Sequence, residues 1–285
     1  RMTSKFSVSS KNISNYFSYS FFSCSFFSWF SLGLLLVLSG CASTTKVSDK
    51  KTDATLVEWT SQESQDRFAR AQAKADFFVL SNHFTSQDNG IFCGLASSSI
   101  VLNALQLGSD KIPQDKSSIQ NTEAKYLPEG YNPFFAKYTQ NNVLNKNTKS
   151  KLAVLGEPTD IKGEKKKDYG LQLEQLAQVL SANGAKVRKA VVSDELEAEK
   201  IKNDLITNLS NAADFVLVNY KRSELGQKGG GHISPLGGYD KKSDSFLIMD
   251  VNPNKAPWVW VKADTLIKAM RTFDTVENRG YVVVQ

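Results

Sequence analysis

The segment from Cys93 to Leu107 constrains the fold more than any other part of this sequence, because its apolar residues recur around most of a helical circumference. A helix of this kind is stable only when other elements of the protein surround it. We therefore predict a buried helix whose N-terminus, at Cys93, is fixed in space. Its apolar side chains are Leu95, Ala96, Ile100, Val101, Leu102, Ala104 and Leu105.

Cys93 stands where a helix activates a thiol. Unpaired backbone N–H groups and the positive end of the helix dipole stabilise a thiolate in the first turn, which lowers the pKa of the thiol. Gln87 precedes Cys93 closely enough to donate its side-chain amide to an oxyanion formed on attack, alongside the backbone N–H of Cys93. The alternative is that Cys93 is only a small buried apolar residue, as most free cysteines are.

The three cysteines of the chain disfavour a disulfide framework. Cys24 and Cys41 fall within or at the end of the N-terminal segment, so Cys93 is the only thiol of the globular part, and no CxxC pair occurs. Neither a structural disulfide nor a cysteine-rich zinc site is expected.

The N-terminal sequence predicts export and lipid anchoring. An apolar run over 29–40 follows positive charges, is short for a membrane span, and ends in LSGC at Cys41, which resembles a bacterial lipobox. We expect lipidation of Cys41 in a periplasm-facing lipoprotein, and Ala42 after it favours the outer membrane. An uncleaved anchor or a chance match are the alternatives. The predicted regions are a lipoprotein signal peptide over 1–40, a flexible tether over 41–60 and a catalytic domain over 61–285.

The formal net charge of +6 does not indicate a nucleic-acid partner. Residues 1–40 hold three basic and no acidic residues, and the rest of the chain has 32 basic against 29 acidic ones. The basic side chains are scattered rather than striped, and the Lys-rich run over 163–168 predicts a solvated loop. We expect no nucleic acid to bind.

Helical and β-type patterns separate along the chain. Helices are predicted over 61–80 and 171–183, from Asp194 to about Leu209, and around 264–271. Runs typical of strands, divided by Gly, Asp, Asn and Pro turns, cover 213–220, 232–239, 245–251, 257–261 and 280–284, with one more candidate over 186–192. Since no βαβ alternation is present, we predict an α+β fold, with a helical half that carries the nucleophile helix and an antiparallel β-sheet half after it.

His83 and His232 are the two histidines, so a base for Cys93 would be one of them. His232 is favoured because it begins a strand after a KGGG run, where small residues allow close backbone approach. Asp250 ends the apolar run FLIMDV, and a hairpin would bring it near His232. A carboxylate there would orient the imidazole, which takes the thiol proton and later protonates the leaving amine. Taken alone, Asp250 could equally be a turn or capping residue.

Five sequence motifs follow one another along the chain: TSQ with FCGLASSSIVLNAL, NYKRSELGQ, GGHISPLGGY, FLIMDV and PWVWV. These motifs, in this order, resemble the phytochelatin synthase family, and the similarity runs from about Phe77 to Val284. The order Gln, Cys, His, Asp is similar to that of papain-like cysteine peptidases. The resemblance implies a papain-like fold.

The resemblance also implies a reaction. Cys93 would attack the Cys–Gly bond of glutathione, release glycine and carry a γ-glutamylcysteinyl thioester, which water or a second glutathione resolves. His232 and Asp250 fall on the family's catalytic positions, and Gln87 falls on its oxyanion position.

Three further charged residues, Arg222, Asp274 and Arg279, match substrate-binding positions of the family. Arg222 lies on a basic position of the motif, and the other two match residues that hold the γ-glutamyl end. One acid and one arginine fork suit an α-amino and an α-carboxylate group. For each of the three, an ordinary surface charge is the alternative.

We expect no tightly bound cofactor. Cadmium or zinc would enter as thiolate complexes of the substrate, because the domain has one thiol and two histidines and no evident soft-metal site of its own. A homodimer stays an open alternative.

Departures from the family pattern bear on the acceptor. NPNKAPW stands where the family has an Arg or aromatic-rich turn, the spacing from Asp274 to Arg279 is compressed, and the Cys-rich C-terminal extension of plant enzymes is missing from this sequence. We therefore favour release of glycine over chain building. The remaining alternatives are a papain-like peptidase that acts on other peptides and a non-catalytic lipoprotein that binds thiols or metal.

Overall fold

The structure, a computed structural model, describes residues 56–105, 112–212 and 214–285. They belong to one compact unit that extends from Lys51 to Gln285. The predicted signal peptide, the lipidation site Cys41 and most of the predicted tether lie outside the described residues. No described helix is long and apolar enough to cross a bilayer.

Helices and strands are both numerous in the described part. The helices are α1 Gln62–Arg70, α2 Phe77–Asn82, α3 Cys93–Leu105, α4 Asn121–Ala124, α5 Lys151–Val154, α6 Leu173–Ala182, α7 Ala198–Leu209 and α8 Ala263–Met270. The strands are β1 Leu56–Glu58, β2 Thr159–Ile161, β3 Glu164–Lys166, β4 Val187–Val191, β5 Phe215–Lys221, β6 Gly231–Asp240, β7 Ser245–Ile248, β8 Val259–Lys262 and β9 Gly280–Val284.

Seven of the strands form one antiparallel sheet in the order β1-β8-β7-β6-β5-β9-β4, and β2 pairs with β3. The five β-type runs predicted from 213 onward correspond to β5 through β9, so the α+β class is confirmed. The loop predicted over 163–168 was wrong, because β3 makes a hairpin with β2, although its side chains are exposed as expected.

Two other boundaries differ from the predictions. β1 falls inside the predicted tether over 41–60, because Leu56 to Glu58 pair with β8, so ordered structure begins before 61. The helix predicted over 61–80 is interrupted between α1 and α2. Ala71 has extended backbone there, and the carbonyl of Ala73 accepts a hydrogen bond from the Tyr239 N–H at 2.8 Å. Pairing with the sheet therefore replaces one helical turn.

The sheet is covered on both faces, which explains why β5 is buried along almost its whole length. Leu217 and its alternate neighbours pack with α3 and α6, whereas Val216, Val218 and Tyr220 pack with α7 and α8. Side chains of a strand point to opposite faces in turn, so an apolar run with two covered faces is expected. Helix α3 is buried from Gly94 to Leu102, and the prediction of a buried central helix is confirmed.

Candidate active site

The sulfur of Cys93 lies at the N-terminus of α3, where the fold brings it against β6. The side chain is half-buried. One turn further along α3, the Ser97 hydroxyl donates to the Ile233 carbonyl at 3.1 Å, which ties the helix to the strand next to His232. Gly94 packs against Leu171 so closely that a Cβ there would lie 2.9 Å from the leucine side chain. The position of the thiol is therefore set from two sides.

His232 stands between the thiol and Asp250. Its Nε2 lies 2.9 Å from Asp250 Oδ1 and 2.9 Å from the Ser234 hydroxyl, and the ring also hydrogen-bonds Cys93. Because Nε2 is engaged on the carboxylate side, Nδ1 is the ring nitrogen left for the thiol. An Nε2–H donated to Asp250 fixes the tautomer in which Nδ1 accepts the thiol proton.

Asp250 is held by five polar groups and has a fully buried side chain. Arg222 donates from Nη2 to Oδ1 and contacts Oδ2 through Nη1, both at 2.8 Å. The Asn252 N–H donates to Oδ1 at 2.8 Å, and the Tyr220 hydroxyl donates to Oδ2 at 3.3 Å. With its oxygens occupied in this way, the carboxylate has one fixed orientation towards His232.

The electrostatics of these groups favour charge separation between thiol and imidazole. Burial raises the pKa of the Cys93 thiol, but the hydrogen bond and charge of His232, helped by backbone groups of Ile233 and Gly94, bring that pKa below its ordinary value. Burial lowers the pKa of His232, but its hydrogen bonds to Asp250 and Cys93 raise it overall. A lowered thiol and a raised imidazole pKa stabilise a thiolate–imidazolium pair.

The pKa of Asp250 lies below its usual range. Burial alone would raise this pKa, and the hydrogen bonds and charges of His232 and Arg222 outweigh burial. Asp250 is therefore charged. The Arg222 guanidinium balances this negative charge when His232 is neutral.

A cavity of about 170 Å³ opens beside the thiol. It is lined by Cys93 and His232 and also by Asp274 and Arg279. Arg279 Nη2 donates to Asp274 Oδ1 at 2.9 Å, and Nη1 donates to the Phe273 carbonyl at 2.6 Å. A Cβ at Gly231 would lie 2.9 Å from Arg279 Nη2, so the glycine of the KGGG run lets the guanidinium approach the strand. An acid and an arginine thus share one cavity with the thiol.

One hydrogen-bond donor in this cavity is unused. Within the described part of the chain, the buried Arg279 Nε has no hydrogen-bond partner. Burial raises the pKa of Asp274, and the charge of Arg279 and a hydrogen bond with the Asn219 side chain offset this only in part. Burial lowers the pKa of Arg279 despite Asp274. A buried donor without a partner favours a ligand that brings an acceptor oxygen.

Two of the predicted site residues have other contacts than expected. Gln87 donates its side-chain amide to the Asn89 carbonyl, and its buried Oε1 has no partner among the described residues. Arg222 was predicted to bind substrate, but its side chain is 1% exposed, turns to Asp250 and does not line the cavity. Arg222 pairs with Asp250 instead, and the sequence alone does not specify this ion pair. His83 caps α2 and lines a different cavity.

Sequence reasoning missed Tyr220, Ser234 and Asn219. Ser234 stands two residues after His232, so the period of a strand places both on one face, and this signal was available. Tyr220 lies opposite His232 in the β5–β6 register, which a single sequence does not specify. Asn219 carries no signal beyond its place in β5.

Among residues 56–105, 112–212 and 214–285, no group of three or more His, Cys, Asp or Glu side chains is placed to hold a metal ion.

A thiol, an imidazole and a carboxylate that are linked in this order form the hydrogen-bonded triad of cysteine-nucleophile enzymes. The chain belongs to the phytochelatin synthase family, whose sequence profile matches residues 47–281.

Proteins similar to this chain include plant and fission yeast proteins. The chain is 29% identical to glutathione gamma-glutamylcysteinyltransferase 3 of Lotus japonicus over 80% of its own length and 42% of the relative's. It is 27% identical to glutathione gamma-glutamylcysteinyltransferase 2 of Arabidopsis thaliana, over 80% and 44%. It is 25% identical to the glutathione gamma-glutamylcysteinyltransferase of Schizosaccharomyces pombe, over 78% of its own length and 47% of the relative's. The chain thus spans less than half the length of these relatives.

Proposed function

We propose that the protein is a glutathione γ-glutamylcysteinyltransferase-type enzyme that uses Cys93 as its nucleophile. The observation that carries the proposal is the shared cavity, which is lined by both the Cys93–His232 pair and the Asp274–Arg279 pair. The names of the relatives supply the substrate class.

In the first half-reaction, the Cys93 thiolate attacks the carbonyl carbon of the Cys–Gly bond, and a C–S bond forms. The tetrahedral intermediate collapses with cleavage of the C–N bond, and the His232 imidazolium gives its proton to the glycine nitrogen. Glycine leaves, and a γ-glutamylcysteinyl thioester remains on Cys93.

In the second half-reaction, neutral His232 takes a proton from the incoming nucleophile. Water yields γ-glutamylcysteine, whereas the amine of a second glutathione yields a longer γ-glutamyl peptide, and the thiolate of Cys93 leaves in both cases. The altered NPNKAPW turn after Asp250 leads us to favour water, with glycine release as the main outcome.

The charge of the oxyanion needs donors near Cys93. The backbone N–H at the start of α3 is one candidate, and Gln87 is the other once its amide leaves the Asn89 carbonyl. Its buried Oε1 without a described partner is consistent with a side chain that has a second arrangement.

The γ-glutamyl end of the substrate carries an α-amino and an α-carboxylate group. Asp274 would accept from the amino group, and Arg279 would donate to the carboxylate through its unused Nε–H. Arg222 receives a positioning role, because it contacts Asp250 and not the cavity.

A papain-like architecture is the finer fold that we propose. Its support is the packing of a nucleophile-bearing helix, α3, against an antiparallel sheet that supplies both His232 and the loop with Asp250.

The remaining expectations stay proposals. The protein would be an exported lipoprotein anchored through Cys41, favoured in the outer membrane. Cadmium or zinc would arrive as thiolate complexes of the substrate, without a tightly bound cofactor. A homodimer is compatible with these proposals, and none of them depends on it.

Incubation of the purified full chain with glutathione tests the proposal through the glycine released. We expect Cys93→Ala and His232→Ala to stop the release, while His83→Ala, which changes the histidine outside the cavity, keeps it. Release of glycine by Cys93→Ala would refute the assignment, and cleavage of other peptides with intact glutathione would favour a peptidase. Product analysis with and without cadmium then separates hydrolysis from transfer.

A further inference from the structure

Asp274 stands on a tight turn between α8 and β9, and we call residues 273–278 the acid turn. Its backbone closes on itself, because the Asp274 N–H donates to the Glu277 carbonyl at 2.8 Å. Its apolar side chains do not pack into the core, since Phe273 is 63% exposed and Val276 is 42% exposed. Polar contacts therefore have to fix the acid turn relative to the cavity.

One of these polar contacts joins the acid turn to Asp168. The Thr275 hydroxyl, next to Asp274, donates to Asp168 Oδ1 at 3.2 Å. Asp168 is buried, and its other oxygen, Oδ2, accepts from Lys149 at 2.8 Å and from Gln172 at 2.9 Å. With Oδ2 held in this way, the carboxylate presents Oδ1 to the acid turn in one fixed direction.

Lys149 ties the same carboxylate to the wall of the cavity. Its side chain is buried, and Nζ also donates to the carbonyls of Asp168 at 2.7 Å and Gly170 at 2.9 Å. Gly170 and both of its neighbours line the cavity beside the thiol. One buried ammonium group, with its three donors, therefore links the cavity wall with the acid turn through Asp168.

Asp168 is a charged acceptor. Burial alone would raise its pKa, but the hydrogen bonds of Lys149 and Gln172 and the charge of Lys149 bring the pKa below its usual value. A hydrogen bond to a charged group is stronger than one between neutral groups. The Thr275 hydroxyl thus holds the acid turn by a charge-assisted contact.

Two other side-chain anchors of the acid turn lie further from its acid. Lys189 Nζ lies 2.8 Å from Glu277 Oε1, but these side chains are 27% and 31% exposed, so solvent screens the pair. Asn278 Nδ2 donates to the Val192 carbonyl at 3.1 Å, at the foot of the turn. Thr275 is the anchor directly beside the acid.

We propose that Asp168 is a positioning residue for substrate binding. Through Thr275 it sets where Asp274 meets the α-amino group of the γ-glutamyl end, and with Lys149 it fixes the neighbouring wall. A substrate-binding group that is displaced by about 1 Å loses much of its effect, so such a support matters. The proposal rests on the proposed function, which makes Asp274 a substrate ligand.

Thr275→Val tests the link by the smallest change, because valine has nearly the shape of threonine and lacks the hydroxyl. Steady-state glycine release by the purified full chain gives KM and kcat for glutathione. We expect KM to rise about fivefold, as for one lost hydrogen bond, while kcat changes little. Thr275→Ser, which keeps the hydroxyl, should keep the wild-type KM.

Thr139→Val is the matched control. Thr139 is half-buried like Thr275, and its hydroxyl donates to an Asp115 carboxylate oxygen at 2.7 Å, outside the cavity of the thiol. This variant should keep the wild-type KM. An equal rise of KM in both valine variants would overturn the proposal, and so would an unchanged KM in Thr275→Val. Lower kcat and stability without a higher KM would make the contact merely structural, which also overturns it.

Asp168→Asn shows whether Thr275 acts through Asp168. The neutral amide removes the charge that accepts from Thr275 and pairs with Lys149, so KM should rise at least as much as in Thr275→Val. Adding Thr275→Val to Asp168→Asn should raise KM by less than about twofold more, because both changes weaken one contact. Fully multiplicative effects would mean that Thr275 acts without Asp168.

Failure of the proposed function is recognised separately, by a wild type that releases no glycine from glutathione. The position of the acid turn is then measured by the pKa of Asp274, followed by carbon-13 NMR of its carboxyl group. Since burial raises that pKa, Thr275→Val should lower it towards the ordinary value, and Thr139→Val should leave it unchanged. The same Asp274 pKa in both variants would refute positioning by Asp168.

Discussion

Two aspartate–arginine pairs lie near the thiol, and they differ in almost every physical respect. Arg222 and Asp250 make a bidentate pair with side chains 1% and 0% exposed, whereas Arg279 and Asp274 share one hydrogen bond and are 8% and 22% exposed. Their pKa directions are opposite. Hydrogen bonds lower the pKa of Asp250 in spite of burial, and burial raises the pKa of Asp274 in spite of Arg279.

The difference shows how a pair of the same chemistry serves two purposes. In the Arg222–Asp250 pair, the carboxylate is saturated, so it has no capacity for a ligand and can only hold His232 in place. In the Arg279–Asp274 pair, the buried guanidinium Nε lacks a partner among the described residues, so the pair gains from a ligand.

The largest expected effect follows from removal of the saturated pair's cation. Arg222→Met leaves Asp250 buried and unpaired on that side, which should lower the free energy of unfolding by about 3 to 5 kcal/mol. Arg279→Met should cost about 1 kcal/mol or less, because Asp274 keeps contact with solvent. Urea denaturation of both variants measures the two values. Equal losses would remove the distinction between the pairs.

A third acid, Asp76, extends the comparison to a carboxylate with no arginine. Its side chain is 1% exposed, its oxygens have no partner among the described residues, and burial with the nearby charge of Asp214 raises its pKa to about 8. The folded state thus favours the protonated acid. The stabilisation is full below about pH 4 and is lost as pH rises towards 8.

We expect this loss in the wild type to be several kcal/mol, because each unit of pKa shift corresponds to about 1.4 kcal/mol, and we expect Asp76→Asn to remove most of it. Thermal or urea unfolding between pH 4 and 9 measures the slope. A slope unchanged in Asp76→Asn would assign the pH dependence to other groups.

The unsaturated pair should affect substrate binding more than stability. Asp274→Asn removes a charge-assisted hydrogen bond to the substrate amine, so KM for glutathione should rise about 10- to 100-fold with a smaller change in kcat. Steady-state glycine release gives both constants. A variant that loses stability but keeps its KM would place Asp274 among the structural acids.

The smallest expected effect concerns the pH profile. The thiolate–imidazolium pair requires pH above the lowered pKa of Cys93 and below the raised pKa of His232. Asp250→Asn replaces the carboxylate by a neutral amide and so removes the charge that raises the His232 pKa, and the alkaline limb of kcat/KM should move down by about one unit. An unmoved limb would mean that Asp250 does not tune the imidazole.

Part of the fold can be predicted from the sequence because its hydrophobic patterns are local. The apolar circumference of α3 and the β-type runs from 213 onward each require a covered surface, and the structure supplies it. The break between α1 and α2 does not follow, because the carbonyl of Ala73 pairs with Tyr239, far away in the chain.

The candidate site divides in the same way. The proximity of Cys93, His232 and Asp250 was predicted because the chain has few cysteines and histidines and because a hairpin was expected to bring Asp250 near His232. The partner of Arg222 was not predicted, because the sequence does not indicate whether an arginine binds a substrate or pairs with an acidic side chain. Only the register that sets Tyr220 opposite His232 brings Arg222, the first residue of the short 3-10 helix Arg222–Leu225, to Asp250.

The alternation of charge from Cys93 through His232 and Asp250 to Arg222 also has a long-range consequence. The four charges alternate in sign along this hydrogen-bonded chain, so their fields cancel at distances greater than their spacing. The reaction centre therefore projects almost no field into solution. These four groups therefore contribute little to the steering of a charged substrate from afar. They also add little to the dependence of the association rate on ionic strength, and the short-range contacts of Arg279 and Asp274 act only once the substrate has reached the cavity.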